Sequence, residues 1–134
     1  MPESVKDRCT KAHEYIFLLS KKDKYYYDYE AVKEKAVGEM LFETRNKRSV
    51  WSVITEPLKE AHFAVFPPDL IKPCILAGCP EGGTVLDPFG GAGTTGLVAD
   101  RHGRNAILIE LNEDYSEIAR NRIYNDAPLF VDVI

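Results

Sequence analysis

The chain has 134 residues, of which 45% are hydrophobic and 28% are charged, and its formal net charge is −4. This length and composition fit a globular protein with a core of its own, and no apolar run approaches the roughly 18 residues of a membrane span. The polar N-terminus is unlike a signal peptide, and the three cysteines lack metal-site spacing; we therefore expect a reducing, cytoplasmic location, no bound metal and no membrane partner.

The first 60 residues are predicted to be less regular than the rest of the chain. An apolar run over residues 14–20 ends at a charged cluster, which predicts a buried strand. Residues 31–40 are compatible with a short helix. Polar and apolar side chains alternate over residues 49–53, which predicts a half-exposed strand.

From residue 61 the pattern becomes regular. Pro67 and Pro68 precede an apolar segment that runs up to Gly78. This pattern predicts a helix with a proline near its start and Gly78 after its end. The following elements are then predicted: a strand at 84–86, a helix at 94–102, a buried parallel strand at 105–110, a helix at 113–125 and a last strand at 129–134. The alternation of strand and helix predicts a parallel sheet with right-handed crossovers.

A glycine-rich turn joins the first regular strand to the next helix. Asp87 ends the strand and is expected at the carboxyl edge of the sheet, where open α/β folds bind ligands. Gly91 and Gly93 allow backbone amides to approach a ligand, and Thr94 and Thr95 open the helix and can cap its amides. The alternative is a plain strand-to-helix turn in which glycine serves packing alone.

Glu110 ends the second regular strand, 23 residues after Asp87. In nucleotide-binding units an acidic residue at about 20 residues beyond the glycine turn binds a ribose hydroxyl. The alternative is an acid at a helix start that complements the helix dipole, a role that Glu113 and Asp114 fit better.

The form Asp-Pro-Phe-x-Gly-x-Gly-Thr-Thr over residues 87–95 resembles the S-adenosylmethionine (SAM) loop of the amino-DNA methyltransferases, which methylate N6 of adenine or N4 of cytosine. The resemblance implies an α/β fold, a partial Rossmann-like SAM-methyltransferase sheet with helices that follows a less regular N-terminal recognition segment. It implies SAM as cofactor, bound by Asp87, Phe89, Gly91, Gly93, Thr94, Thr95, Glu110 and Asn112.

Residues 61–71 are similar to the family segment that precedes the SAM loop and closes over the methionine end of the cofactor. The resemblance implies that Phe63 and Phe66 supply apolar surface there. Without it, both aromatic side chains would be assigned to the core.

The order of segments is similar to the permuted β class of the family, in which a target-recognition region precedes the SAM loop. Residues 1–60 hold twelve Lys and Arg against eleven Asp and Glu, whereas residues 61–134 hold five against ten. The resemblance implies that residues 1–60 contain a partial recognition region for double-stranded DNA with a flipped base, and that residues 61–134 form the SAM-binding half. Lys22, Tyr27, Lys47 and Arg48 are the candidate DNA contacts; the alternative is a solvated surface with a few anchoring aromatics.

The catalytic tetrapeptide of the family, Asp/Asn/Ser-Pro-Pro-Tyr/Phe/Trp, is not found in these 134 residues. Pro67-Pro68 lies between Phe66 and Asp69 and does not match it. We therefore expect the chain to need a second polypeptide that carries the catalytic half, to self-associate, or to be a truncated remnant. A SAM- or DNA-binding module without catalysis and a methyltransferase for RNA or protein are the alternatives.

Overall fold

The computed structural model describes residues 5–36, 42–54, 65–127 and Val133. Strands β1 (Glu34–Lys35) and β2 (Thr44–Arg45) form a short antiparallel pair. The rest alternates helix and strand: α1 (Pro68–Gly78), β3 (Thr84–Asp87), α2 (Thr94–Arg101), β4 (Asn105–Leu108) and α3 (Glu113–Asp126). Strands β3 and β4 pair in parallel, with Leu86 opposite Ile107. The parallel α/β arrangement predicted from the sequence is confirmed.

Local chemistry explains where these elements begin and end. Helix α1 starts at Pro68, where the missing N–H of proline costs no helical hydrogen bond, and it contains Pro73 one and a half turns later. Helix α2 starts after Gly93, which has a left-handed φ of 77°, and α3 starts after Asn112. The predicted helices and the two central strands are confirmed, although β4 ends two residues earlier than expected.

The core lies between the helices and one face of the β3–β4 sheet. Helix α2 packs on both strands, with α1 and α3 on its two sides. Ile75, Val98 and Ala99 are buried together, and Ile71 and Val85 pack against them. This layer fixes the carboxyl ends of both strands relative to the start of α2.

The opposite face of the sheet is apolar and uncovered by the described residues. Leu86, Ile107 and Ile109 have 61%, 54% and 56% of their surface exposed. Parallel strands are normally covered on both faces, because each face carries apolar side chains. We call these three side chains the bare sheet face.

The strand predicted for residues 14–20 is wrong. The structure assigns no regular secondary structure there, and Tyr15 to Leu19 are between 55% and 87% exposed. Within this segment the Tyr15 ring stacks on the Phe17 ring, with their centroids 6.2 Å apart. A strand requires a neighbouring strand to pair its amides, and none of the described residues supplies one to this segment.

Two further predictions for the N-terminal part are wrong where the structure describes it. Residues 31–40 do not begin a helix: a turn at 31–32 leads into β1, and residues 37–40 lie outside the described residues. Residues 49–53 have no strand, because no described segment pairs with them; the Trp51 indole N–H donates locally to the Arg48 carbonyl at 2.7 Å. The predicted strand at 129–134 lies outside the described residues except for Val133.

Within the described part of the chain, the three helices are too short or too polar to cross a bilayer. The same residues contain no cluster of His, Cys, Asp or Glu side chains with the geometry of a metal site.

Candidate functional site

The glycine-rich turn after β3 lies over the carboxyl end of β4 and against α3. Gly91 and Gly93 have positive φ angles of 51° and 77°. The Gly90 N–H donates to the Ile109 carbonyl at 2.8 Å, and the Gly93 N–H donates back to the Gly90 carbonyl at 2.9 Å. A Cβ on Gly93 would lie 2.8 Å from the Cβ of Ala119 on α3. We call residues 90–93 the glycine loop; the positive φ angles of Gly91 and Gly93 favour glycine, and packing against Ala119 leaves no room for a side chain at Gly93.

Asp87 binds one residue on each side of the glycine loop. One carboxylate oxygen accepts a hydrogen bond from the Phe89 N–H at 2.9 Å, and the other accepts one from the Thr95 hydroxyl at 2.5 Å. The carboxylate therefore spans from the end of β3 to the first turn of α2. This placement at the carboxyl edge of the sheet agrees with the position expected from the sequence.

Glu110 closes the other side of the loop. Its two oxygens accept hydrogen bonds from the Gly91 N–H at 2.8 Å and the Asn112 N–H at 2.9 Å. These amides, that of Asn112 first, hold the pKa of the Glu110 carboxyl below its usual range, so the group is ionised at neutral pH. Each carboxylate oxygen has two acceptor positions, so both retain capacity for a ligand hydroxyl.

Asn112 has a structural task that the sequence did not indicate. Its side-chain oxygen accepts hydrogen bonds from the N–H groups of Asp114 at 2.9 Å and Tyr115 at 3.3 Å, which caps α3. The cap sets the direction in which α3 leaves the site. Because the side-chain oxygen is used in this cap, a cofactor contact by Asn112 would involve its side-chain NH₂ group.

The two threonines at the start of α2 are buried, with 1% of Thr94 and 4% of Thr95 exposed. The expectation that they cap α2 is wrong: the Thr95 hydroxyl donates to Asp87, and the Thr94 hydroxyl accepts from Arg122 at 2.9 Å. The residue at the cap position is Gly93, which has no side chain to do so. First-turn amides of a helix lack intrahelical partners, which leaves the start of α2 suited to an anionic group.

Arg122 is the site residue that sequence reasoning missed. Besides its bond to the Thr94 hydroxyl, its guanidinium donates to the carbonyl of Ala92 at 3.1 Å. A side chain of α3 therefore contacts the glycine loop directly. The available signal was its position on α3: it lies three residues after Ala119 and next to Ile123, both of which are buried. A cation on the apolar face of a helix normally has a buried partner.

Two of the three phenylalanines predicted to contact the cofactor lie within the described residues. Phe89 projects from the turn with 85% of its surface exposed, and Phe66 is partly exposed just before α1. Phe63 lies outside the described residues. Phe89 therefore supplies free apolar surface beside the loop.

The candidate DNA contacts Lys47 and Arg48 lie two and three residues after the end of β2. Arg48 and Arg45 share the carboxylate of Glu34, at 3.2 and 2.9 Å. Loss of water around this carboxyl acts to raise its pKa, but the hydrogen bonds from the two arginines together hold the pKa below its usual range. The Lys47 ammonium lies 4.8 Å from the centre of the Trp51 ring. Lys22 and Tyr27 are exposed in the irregular stretch before β1.

A cleft of about 570 Å³ lies on the helical side, between α1, α2 and α3. Arg101, Arg122 and Asp126 line it, whereas Asp87, Gly91 and Glu110 do not. The described cleft is therefore separate from the carboxyl edge of the sheet, where the loop contacts converge.

Comparison with known proteins agrees with this geometry. Residues 1–121 match the family model described as DNA methylase, of the N6/N4 type. The chain is 53% identical over 122 residues to the Type II methyltransferase M.SmaI of Serratia marcescens, covering 91% of this chain and 41% of that protein. It is 52% identical over 126 residues to the Type II methyltransferase M.Cfr9I of Citrobacter freundii, covering 94% of this chain and 41% of that protein.

Among solved structures, the crystal structure of the M1.HpyAVI–SAM complex matches with a TM-score of 0.55 and 28% sequence identity, over 77% of this chain and 46% of that one. The chain thus spans less than half the length of the relatives that it matches. The shared fold is that of a SAM-dependent methyltransferase.

Proposed function

Because this chain belongs to the family of N6/N4 DNA methylases, we propose that it is the SAM-binding part of a DNA methyltransferase acting on an exocyclic amine of adenine or cytosine. The observation that carries the proposal is the glycine loop, held between Asp87 and Glu110 at the carboxyl edge of a parallel sheet. Ligands of open α/β sheets bind at this edge.

The residues present fit SAM in charge and in hydrogen-bonding capacity. Glu110 is ionised and retains acceptor positions for the ribose hydroxyls, which are donors. The start of α2 and the loop amides suit the methionyl carboxylate. Phe89, Phe66 and Phe63 would supply apolar surface around the remainder of the molecule. When bound, SAM would supply the methyl group, which leaves the sulfur as an exocyclic nitrogen bonds to it.

Methyl transfer would need chemistry beyond these contacts. The acceptor amine must be aligned with the methyl group and must lose a proton, and alignment alone contributes a large part of such an acceleration. The family tetrapeptide that would accept that amine is not in the printed sequence. We propose that a segment outside these 134 residues supplies it, in the same or another polypeptide.

The apolar surfaces of the chain support such a partner. The bare sheet face and the exposed run from Tyr15 to Leu19 present apolar side chains that a folded protein normally covers. We propose that the catalytic half packs on them and that residues 15–19 become a strand when paired.

The DNA partner is assigned to the N-terminal part. We propose that residues 1–60 contribute to target recognition and residues 61–134 to SAM binding, with Lys22, Tyr27, Lys47 and Arg48 facing the DNA. Cations contact phosphates and an aromatic ring can stack on a base. The Arg48–Glu34 ion pair holds that guanidinium in place beside β2. The free thiols of Cys9, Cys74 and Cys79 favour a reducing, cytoplasmic location.

The test is a methyl-transfer assay with labelled SAM and double-stranded DNA. We expect no label in DNA with this chain alone, and incorporation when a polypeptide that carries a matching Asp-Pro-Pro-Tyr-type half is added. Glu110→Gln should lower the incorporation and Glu113→Gln, an exposed acid three residues away, should not. SAM binding without transfer in every complemented mixture would instead support a binding module without catalysis.

A further inference from the structure

We propose that Arg122 is a positioning residue that fixes the glycine loop and thereby sets the affinity for the cofactor, without contacting the cofactor itself. This inference rests on the proposed function and extends it to α3. Of the cofactor contacts predicted from the sequence, only Asn112, the N-cap residue, belongs to this helix. It depends on three features of the described residues.

The first feature is the pair of acceptors. The same nitrogen of Arg122, Nη1, donates to the Ala92 carbonyl at 3.1 Å and to the Thr94 hydroxyl at 2.9 Å. These two acceptors lie on either side of Gly93, the residue with the left-handed φ of 77°. A single guanidinium therefore holds both neighbours of the most constrained residue in the loop.

The second feature is the peptide unit between Ala92 and Gly93. Arg122 binds its carbonyl, and the Gly90 carbonyl accepts its N–H at 2.9 Å. With both ends held, the plane of this peptide is fixed. The Gly91 N–H, two residues before that of Gly93, donates to Glu110, so this peptide is linked through Ala92 to the carboxylate proposed to bind the ribose.

The third feature is burial. With Arg122 in place, Ala92 and Thr94 are 4% and 1% exposed, so both acceptors lie in the interior beneath the guanidinium. A buried carbonyl without a donor is unfavourable, and a peptide flanked by glycine can relieve this by rotating. Rotation would turn the loop amides away from the ligand while leaving the core of Ile75, Val98 and Ala99 intact.

The test compares three variants of the full chain with wild type: Arg122→Ala, Arg122→Lys and the control Arg120→Ala. Arg120 is exposed on the same helix and carries the same charge. SAM dissociation constants are measured by calorimetry well below every melting temperature. We expect about a tenfold loss of affinity in Arg122→Ala, the loss of one charge-assisted buried contact, a partial recovery in Arg122→Lys, and no change in Arg120→Ala.

Two further readouts separate positioning from general loss of structure. Millimolar guanidinium should restore part of the affinity of Arg122→Ala but leave wild type unchanged. Without SAM, amide hydrogen exchange at Gly93 should accelerate about tenfold in Arg122→Ala alone, because its bond to Gly90 loosens. Equal affinity and equal exchange in wild type and Arg122→Ala would overturn the proposal, as would an affinity loss that neither lysine nor guanidinium recovers.

If wild type itself binds no SAM, the proposed function fails and so does the effect of Arg122 on affinity. The exchange rate at Gly93 then still decides whether Arg122 holds the loop.

Discussion

Replacing Gly93 with alanine is expected to lower the free energy of unfolding by about 2–4 kcal/mol, the sum of a left-handed backbone strain and a steric overlap. The added Cβ would lie 2.8 Å from the Cβ of Ala119 and 3.0 Å from its Cα. Because the second of these atoms belongs to the backbone of α3, the clash cannot be relieved by a change of rotamer. The helix must move away, and the contacts of Arg122 with the loop would lengthen with it.

The matched control is Gly78→Ala at the end of α1. A Cβ there meets no atom within 4 Å and the φ of Gly78 is not positive, so we expect a change of less than about 1 kcal/mol, in either direction. Urea unfolding followed by circular dichroism measures both variants. Equal stability of the two would show that α3 does not pack on the loop as described.

The second large effect is expected from Glu110→Gln on cofactor affinity. An amide in place of the carboxylate leaves one oxygen to accept, and places an NH₂ group against the N–H of either Gly91 or Asn112. The variant would therefore lose a loop contact and the charge-assisted hydrogen bonds to the ribose. We expect SAM to bind about ten- to a hundredfold more weakly.

A nucleoside series assigns that loss to the ribose. Wild type should prefer adenosine to 2′,3′-dideoxyadenosine as a competitor of SAM, and Glu110→Gln should lose most of this preference. Glu113→Gln in the first turn of α3 serves as the control, with the preference kept. An unchanged preference in Glu110→Gln would assign the ribose to another group.

The sequence predicted best what local chemistry determines. The positive φ angles of Gly91 and Gly93, the position of Asp87 at a strand end and the alternation of β3, α2, β4 and α3 all follow from short segments of sequence. Glu110 was predicted from its spacing to Asp87, and the structure brings it to the loop through the Gly91 N–H.

What the sequence did not predict depends on contacts with distant residues. Arg122 binds Ala92 and Thr94, which lie 30 and 28 positions away; its place on the buried face of α3 indicates a buried partner but not which residues supply it. The run from Tyr15 to Leu19 has the composition of a strand, yet a strand also requires a partner for its amides. Among the described residues no strand pairs with it, and the segment remains exposed.

If the glycine loop, Asp87 and Glu110 form a SAM site, the wild-type chain must bind SAM on its own, and titration with SAM tests this. Calorimetry should give saturable binding at one site per chain, weakened in Glu110→Gln and unchanged in Glu113→Gln. Absence of saturable binding by a wild-type chain that circular dichroism shows to be folded would show that these residues do not form a SAM site. Binding that is equal in all three proteins would show that Glu110 takes no part in it.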